Sequence, residues 1–164
     1  MTVDERLQRI LRDEGPGLGR VAALYARSRV EEEDLRQEIV FAIWRALPAF
    51  RGDCSERSFA YRIAHNLGQK QSLGRRRQVA LEEAELPPAA EADPERSAEA
   101  RLRYRKLLAA LAGMQPSARQ VVALALEGFS HAEIGEVVGA SAGAVAVRLH
   151  RAREELRKRL EEAR

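Results

Sequence analysis

The sequence predicts an all-α protein with two small helical domains joined by a flexible acidic linker, the second domain being a helix-turn-helix. Strand signals are nearly absent, because β-branched residues rarely alternate with polar ones and Ala, Leu, Glu and Arg are abundant. The 164 residues suffice for two small domains. Residues 79–97 combine prolines, alanines and acidic residues without a helical period, which favours a tether. We therefore place the domains at residues 1–78 and 98–164.

The charge pattern indicates a polyanionic partner. The net charge is +3, and a basic run at residues 57–77 precedes an acidic run at residues 82–99, while a second basic cluster closes the chain. Two basic segments on either side of an acidic one favour two contacts with one polyanion. The sequence has no signal-peptide pattern and no membrane span, and Cys54 is its single cysteine. We therefore expect a cytoplasmic protein without an internal disulfide.

The first two predicted helices are short and lie on either side of a turn. Apolar residues at helical spacing predict one helix over residues 4–13 and another over residues 18–27. Gly15, Pro16 and Gly17 are expected to interrupt the helix between them, because glycine and proline are the strongest local breakers.

The next predicted helix, residues 31–47, has two apolar stripes, whereas an ordinary surface helix has one. The second stripe comprises Val40, Phe41 and Trp44, beside Gln37. Two stripes indicate either burial on both sides or a face left for a partner, and spacing alone leaves both interpretations open. The first stripe comprises Leu35, Ile39, Ala42, Ile43 and Ala46.

A polar loop at residues 49–57 leads into a helix that begins near Ser58. This helix carries aromatic rings, an amide and arginines, which are the ingredients of a single-stranded nucleic-acid surface. Rings stack on bases, amides read base edges and cations hold the backbone. Alternatively, Tyr61 is a half-buried core ring and His65 a packed or solvated imidazole. The residues concerned are Tyr61, Arg62, His65, Asn66, Lys70, Arg75, Arg76 and Arg77.

The C-terminal part predicts a helix-turn-helix that packs on two preceding helices. Ser130 and Glu133 form a capping box that starts a helix, and Gly139 ends it. Ser141 caps the next helix, whose outer face has small residues first and arginines later, as close approach to DNA requires. A helical hairpin with a solvated basic face is the alternative. The buried stripe of the last helix comprises Val145, Leu149, Ala152, Leu156 and Leu160, and the preceding helices cover residues 99–111 and 116–127.

Two groups of segments resemble bacterial sigma factors, most closely the small extracytoplasmic-function group of the sigma-70 family. The segments that resemble region two are EDLRQEI at residues 33–39, WRAL at 44–47, FRG at 50–52 and SFAYRIAHN at 58–66. Residues 128–153 resemble region four. A lone helix-turn-helix is weak evidence, but two regions in the family's order with a connector between them are specific.

The resemblance implies a protein that docks on core RNA polymerase, binds two promoter elements and helps to melt the start site. It implies no catalytic residue, metal or cofactor. It further implies an anti-sigma partner, a contact between region four and the polymerase β flap, and a monomer in the free state. The residues that would face the clamp helices of the polymerase β′ subunit are Asp34, Gln37, Glu38, Val40, Phe41 and Trp44.

The resemblance also assigns two DNA-binding sets. In the first set we expect Asn66 to contact a base edge and a pocket beside the loop to capture a flipped base. The residues that would hold the minus-ten element are Arg51, Arg57, Tyr61, Arg62, His65, Asn66, Lys70, Arg75 and Arg76. The residues that would meet the minus-thirty-five element in the major groove are Ser141, Gly143, Ala144, Ala146, Val147, Arg148, His150, Arg151 and Arg153.

The last helix departs from the common pattern of the group. A threonine is usual where Ala144 stands, a lysine or arginine at Ala146 and a serine at Val147. Each lost base contact is worth roughly 1–3 kcal/mol, so we expect a weaker hold on the upstream element and more reliance on region two. Alternatively, Ala146 or Val147 touches a thymine methyl group.

Other function classes explain less of the sequence. A helix-turn-helix regulator that acts without polymerase has no use for an exposed second stripe on the helix of residues 31–47. A helical adaptor that binds only protein has no use for two basic segments. An enzyme is not supported, because the sequence has no nucleophile–base set, metal cluster or phosphate loop.

Overall fold

The computed structural model describes residues 1–79 and 97–163, with side chains as far as residue 75 in the first range. Within these ranges every regular element is helical, as predicted. The chain divides into two compact units, Met1–Pro87 and Pro88–Arg164. The predicted linker, residues 79–97, lies outside the described residues apart from its two ends, and its boundaries stay predictions. The helices are α1 Val3–Tyr25, α2 Arg29–Ala46, a 3-10 helix Leu47–Ala49, α3 Glu56–Val79, α4 Ala98–Ala112, α5 Pro116–Leu126, α6 His131–Val138 and α7 Ala142–Glu162.

The predicted break near Pro16 is wrong, because α1 is one continuous helix from Val3 to Tyr25 with Pro16 inside it. A proline within a helix costs about 3 kcal/mol, so something else must offset it. The buried stripe supplies the offset, since Ile10 before the proline and Leu18 and Val21 after it stay in helical register on the same packed side. Packing against the other helices thus outweighs the helix-breaking effect of Pro16.

As far as residue 79, the first unit is a three-helix bundle in which α1, α2 and α3 pack against one another. Leu35, Ile39 and Ile43 of α2 are buried, so the predicted first stripe is confirmed at these positions. Ala42 and Ala46 are only half-buried. The second stripe lies outside this core, which leaves one face of α2 uncovered.

Ion pairs attach the start of α3 to α1. Glu56, in the first turn of α3, accepts hydrogen bonds from Nε of Arg6 at 2.8 Å and Nη2 of Arg9 at 2.6 Å. Desolvation, the largest single effect, raises the pKa of Glu56, but the hydrogen bonds and positive charges of the two arginines together lower it below its ordinary value. One residue along α3, Arg57 pairs with Glu14 at 3.2 Å.

The second unit packs α4, α5 and α6 on α7, and α5 also packs on α6. Pro116 opens α5 at a position where its missing N–H is harmless. All four helices contribute side chains to the core, which covers one side of the helix-turn-helix. Its buried apolar side chains include Leu111, Met114, Val121, Val122, Leu124, Ile134, Val145 and Leu149.

Candidate protein and nucleic-acid interfaces

The outer face of α2 carries two large exposed rings. Phe41 is 56% exposed and Trp44 is 42% exposed, which excludes the interpretation that both are core residues. Asp34, Gln37 and Glu38 are exposed one or two turns earlier on the same helix. Val40 is half-buried at the margin. The six residues predicted for polymerase binding thus form a mixed apolar and acidic surface.

Side-chain contacts order this surface. The Phe41 and Trp44 rings lie 5.9 Å apart between centroids with 30° between their planes. The guanidinium of Arg45 lies 5.9 Å from the Phe41 centroid. Trp44 donates a hydrogen bond from Nε1 to Oδ1 of Asp4 at 3.0 Å. Asp4 belongs to the first turn of α1, 40 residues away, and no pattern in the sequence indicated this contact.

A polar ridge runs along α3. Arg62, Asn66 and Lys70 follow one another at four-residue spacing, which places them on one side of the helix. Asn66 and Lys70 are exposed, while Arg62 is half-buried with Nη2 at 3.7 Å from Sγ of Cys54. Arg51 is exposed in the loop that precedes the helix. Four of the nine predicted minus-ten residues therefore share accessible surface on the loop and this ridge.

The predictions that Tyr61 and His65 contact DNA are corrected by their burial. Tyr61 is 1% exposed and His65 is 0% exposed. Nδ1 of His65 lies 2.8 Å from the hydroxyl of Tyr25, and the two rings meet edge to face. Both residues lie on the side of α3 that faces α1, so neither ring can stack on a base. The core alternative for these two side chains is the correct one.

Two further arginines of this set are engaged within the protein. Arg57 pairs with Glu14 and lies over the Tyr61 ring, with its guanidinium 5.9 Å from the centroid. Arg75 pairs with Glu31 at 3.1 Å and donates to the main-chain oxygen of Tyr25. The side chain of Arg76 lies outside the described residues. Arg57 and Arg75 thus stabilise the helix bundle.

The helix-turn-helix has the local geometry that the sequence predicts. Ser130 and Glu133 form the capping box of α6, with the Ser130 N–H donating to Glu133 at 2.7 Å. Gly139 ends α6 with φ of +72°, a left-handed conformation that favours glycine. Oγ of Ser141 accepts from the Ala144 N–H at 3.1 Å and caps α7. These caps fix the angle at which α7 leaves the turn.

The outer face of α7 is open. Val147 is 53% exposed, and Ala144 and Ala146 beside it are half-buried. The face therefore begins with small and apolar side chains and becomes basic further along. The remaining residues predicted for the minus-thirty-five element are all exposed: Ser141, Gly143, Arg148, His150, Arg151 and Arg153.

Other kinds of site are not evident in the part of the chain that the structure describes. Within residues 1–75 and 97–163, no three His, Cys, Asp or Glu side chains gather as they would around a metal ion. None of the helices in the described ranges combines the length and the apolar character needed to cross a bilayer.

Comparison with protein families identifies both units. The model of Sigma-70 region 2 matches residues 10–78, and the model of Sigma-70, region 4 matches residues 104–156. The RNA polymerase sigma factor NccH of Alcaligenes xylosoxydans xylosoxydans is 32% identical over 151 residues, covering 87% of this chain and 80% of its own length. The ECF RNA polymerase sigma factor SigE of Mycolicibacterium smegmatis is 31% identical over 152 residues, covering 90% of this chain and 59% of its own length.

Solved structures show the same fold at lower identity. CnrH in complex with the cytosolic domain of CnrY matches 97% of this chain and 90% of its own with a TM-score of 0.72 and 23% identity. The sigma factor RpoE in complex with the anti-sigma factor NepR from Bartonella quintana matches 98% of this chain and 99% of its own with a TM-score of 0.78 and 21% identity. With both regions matched in order and relatives above 30% identity, the chain belongs to the sigma-70 family of RNA polymerase sigma factors, in its extracytoplasmic-function group.

Proposed function

We propose that the two units divide the work of an alternative sigma factor, the first holding core polymerase and the minus-ten element and the second the minus-thirty-five element. Family membership makes this protein an alternative sigma factor that directs RNA polymerase to promoters. The observation that carries the proposal is the exposed pair Phe41 and Trp44 on α2, opposite the buried stripe. A protein that bound DNA alone would gain nothing from these rings and would risk aggregation.

The polymerase-binding face is formed by the α2 surface. Large exposed rings are the side chains that most often anchor protein interfaces, because they bury a large area while few rotatable bonds are fixed on binding. Gln37, Asp34 and Glu38 supply a polar and acidic rim, which favours a partner with basic residues around an apolar centre. The β′ clamp helices of the polymerase are the partner that the family implies.

The minus-ten element is held by the exposed loop and ridge of the first unit. Lys70 and Arg51 offer charge to the phosphates, and the Asn66 amide offers both a donor and an acceptor to a base edge. In this arrangement Lys70 and Arg51 contact the backbone, and Asn66 is the main residue that reads a base. A base that has left the stack in melted DNA presents that edge freely.

The minus-thirty-five element is held by α7. The small residues at its start let the helix lie deep in the major groove, and Arg148, Arg151 and Arg153 reach phosphates on the sides. Ala146 and Val147 offer apolar contact to thymine methyl groups in place of hydrogen bonds. The same unit would contact the polymerase β flap.

An anti-sigma factor completes the proposal. Two structures with this fold are sigma factors in complex with an anti-sigma factor or with the cytosolic domain of CnrY. An inhibitor that covers Phe41 and Trp44 would block docking on polymerase directly. We further propose that the free protein is a cytoplasmic monomer without catalytic activity or cofactor.

In vitro transcription with purified core polymerase tests the proposal. The double variant Gln37→Ala/Trp44→Ala should abolish promoter-specific transcripts and binding to core polymerase. It leaves the proposed DNA-binding face of the second unit unchanged. Arg12→Ala/Asp13→Ala is the matched control, because these two exposed residues of α1 pair with each other. A wild-type protein that binds promoter DNA but never stimulates core polymerase would instead favour the regulator that acts alone.

A further inference from the structure

We infer that Asp4 is a positioning residue of the polymerase-binding face, because its carboxylate holds the Trp44 ring in place for docking. The inference rests on the proposed role of the α2 surface and extends that surface to the first turn of α1. Oδ1 of Asp4 accepts the hydrogen bond from Nε1 of Trp44 at 3.0 Å.

The Asp4 carboxylate, which accepts this hydrogen bond, belongs to a helical turn that other contacts hold in place. Thr2 and Glu5 form a capping box at the start of α1, with the Glu5 N–H donating to the Thr2 hydroxyl at 3.2 Å and the Thr2 N–H donating to Glu5 at 2.7 Å. One turn further along, Arg6 and Arg9 tie α1 to Glu56 at the start of α3. The first turn of α1 therefore has a defined conformation, and ion pairs just after Asp4 tie it to α3.

The hydrogen bond prepares Trp44 for burial in two ways. It removes rotational freedom from an exposed ring before a partner arrives, so less entropy is lost on docking. It also satisfies the indole N–H within the protein, so a partner that covers the ring need not supply an acceptor. The ring beside it, Phe41, then forms one continuous apolar patch with Trp44 at 5.9 Å. A partner that places apolar side chains opposite the two rings fits this surface.

Two substitutions separate the hydrogen bond from the charge. Asp4→Ala removes both, whereas Asp4→Asn removes the charge and keeps an acceptor oxygen. Asp13→Ala is the control, because it removes an exposed charge on the opposite side of the same helix. Trp44 is the single tryptophan of the chain, so the fluorescence anisotropy of the free protein reports this ring alone. Binding to core polymerase is measured with a dye on the second unit.

The inference predicts that Asp4→Ala weakens core binding about three- to tenfold, the effect of freeing one ordered side chain, and lowers the Trp44 anisotropy. Asp4→Asn should retain both properties. In a Trp44→Phe background, Asp4→Ala should cause no further loss, because the hydrogen bond is already absent. Thermal melting should differ among the variants by only a few degrees, since the bond between Asp4 and Trp44 is exposed.

Three results would overturn the inference: unchanged core binding of Asp4→Ala, equal loss in Asp4→Asn, or equal loss in the Trp44→Phe background. A failure of the proposed function looks different. In that case Trp44→Ala itself would leave core binding and transcription intact. If Trp44→Ala abolishes core binding and Asp4→Ala does not weaken it, the polymerase face stands and only the role of Asp4 is lost.

Discussion

The hydroxyl of Tyr25 and Nδ1 of His65 lie 2.8 Å apart inside the first unit, where they join the end of α1 to the middle of α3. Their rings meet nearly at right angles, with 5.6 Å between centroids. The histidine thus has a structural role in a segment whose exposed neighbours, Asn66 and Lys70, are the proposed DNA contacts. A buried side chain such as His65 and an exposed one such as Asn66 therefore lie within the same turn of α3.

Tyr25→Phe should destabilise the first unit without affecting promoter recognition. The change leaves a buried imidazole nitrogen without its hydroxyl partner, and such losses cost about 1–3 kcal/mol of the free energy of unfolding. Chemical denaturation measures the loss, and promoter binding at low temperature should match wild type. A variant of normal stability that fails to bind the minus-ten element would place this pair at the DNA after all.

Glu56 should make the stability of the first unit dependent on acid pH. Desolvation is the largest single effect and raises the pKa of Glu56, but the hydrogen bonds and charges of Arg9 and Arg6 together lower it from 4.5 in the folded protein. A lowered folded pKa means that the carboxylate stabilises the fold above the ordinary value and that this contribution is lost as the pH falls through the folded pKa.

Glu56→Gln should therefore lower the free energy of unfolding by about 1 kcal/mol at neutral pH, and its deficit should vanish in acid. Thermal melting of wild type and variant across this pH range measures the difference. The control is Asp13→Asn, which should follow wild type at every pH because the ion pair of Asp13 with Arg12 is exposed on the surface. A deficit that persisted in acid would show that the glutamate acts through packing and not through its charge.

Asn66 and Lys70 should contribute to minus-ten binding in different ways. Asn66→Ala should relax discrimination between base sequences by roughly 1–3 kcal/mol, because it removes the proposed base-edge contact. Lys70→Ala should weaken all single strands alike and reduce the salt slope by about 0.7. Binding of holoenzyme to fluorescent single strands of matched and scrambled sequence at several salt concentrations separates the two. Equal loss on both sequences for Asn66→Ala would remove its reading role.

Ala146→Lys should tighten binding to the minus-thirty-five element. The new ammonium adds one phosphate contact, so the salt slope should increase by about 0.9. Fluorescence anisotropy with duplex DNA at several salt concentrations measures both quantities. Ala112→Lys adds the same charge at the exposed end of α4 and should change neither. If the two lysine variants behave alike, this face of α7 does not meet DNA.

The sequence predicts those parts of the fold that local chemistry determines. The capping box at Ser130, the left-handed Gly139 and the cap at Ser141 are confirmed because each acts within a few residues of the chain. The buried stripe of α2 is confirmed because its helical period is independent of what covers it. The predicted break at Pro16 is wrong because the packing that offsets the cost of this proline comes from other helices.

The candidate sites were harder to predict, since residue type does not reveal which side of a helix is covered. Tyr61 and His65 have the chemistry of DNA contacts, but the close approach of α1 buries them. That approach requires Gly68, where a methyl group would collide with the Tyr25 ring. Gly68, a glycine within a long helix, is the feature of the sequence that indicates this close approach. Asp4 has no such feature beside it, because its contact with Trp44 spans 40 residues.

The pairing of Arg57 with Glu14 and of Arg75 with Glu31 has a consequence for the salt dependence of the proposed DNA binding. Cations that are already neutralised by neighbouring carboxylates release few counterions when nucleic acid arrives. The proposed recognition of the minus-ten element by the first unit then depends less on these two arginines and more on exposed residues such as Asn66 and Lys70. Binding of single strands by the first unit should accordingly lose less affinity at raised salt than a count of its arginines suggests.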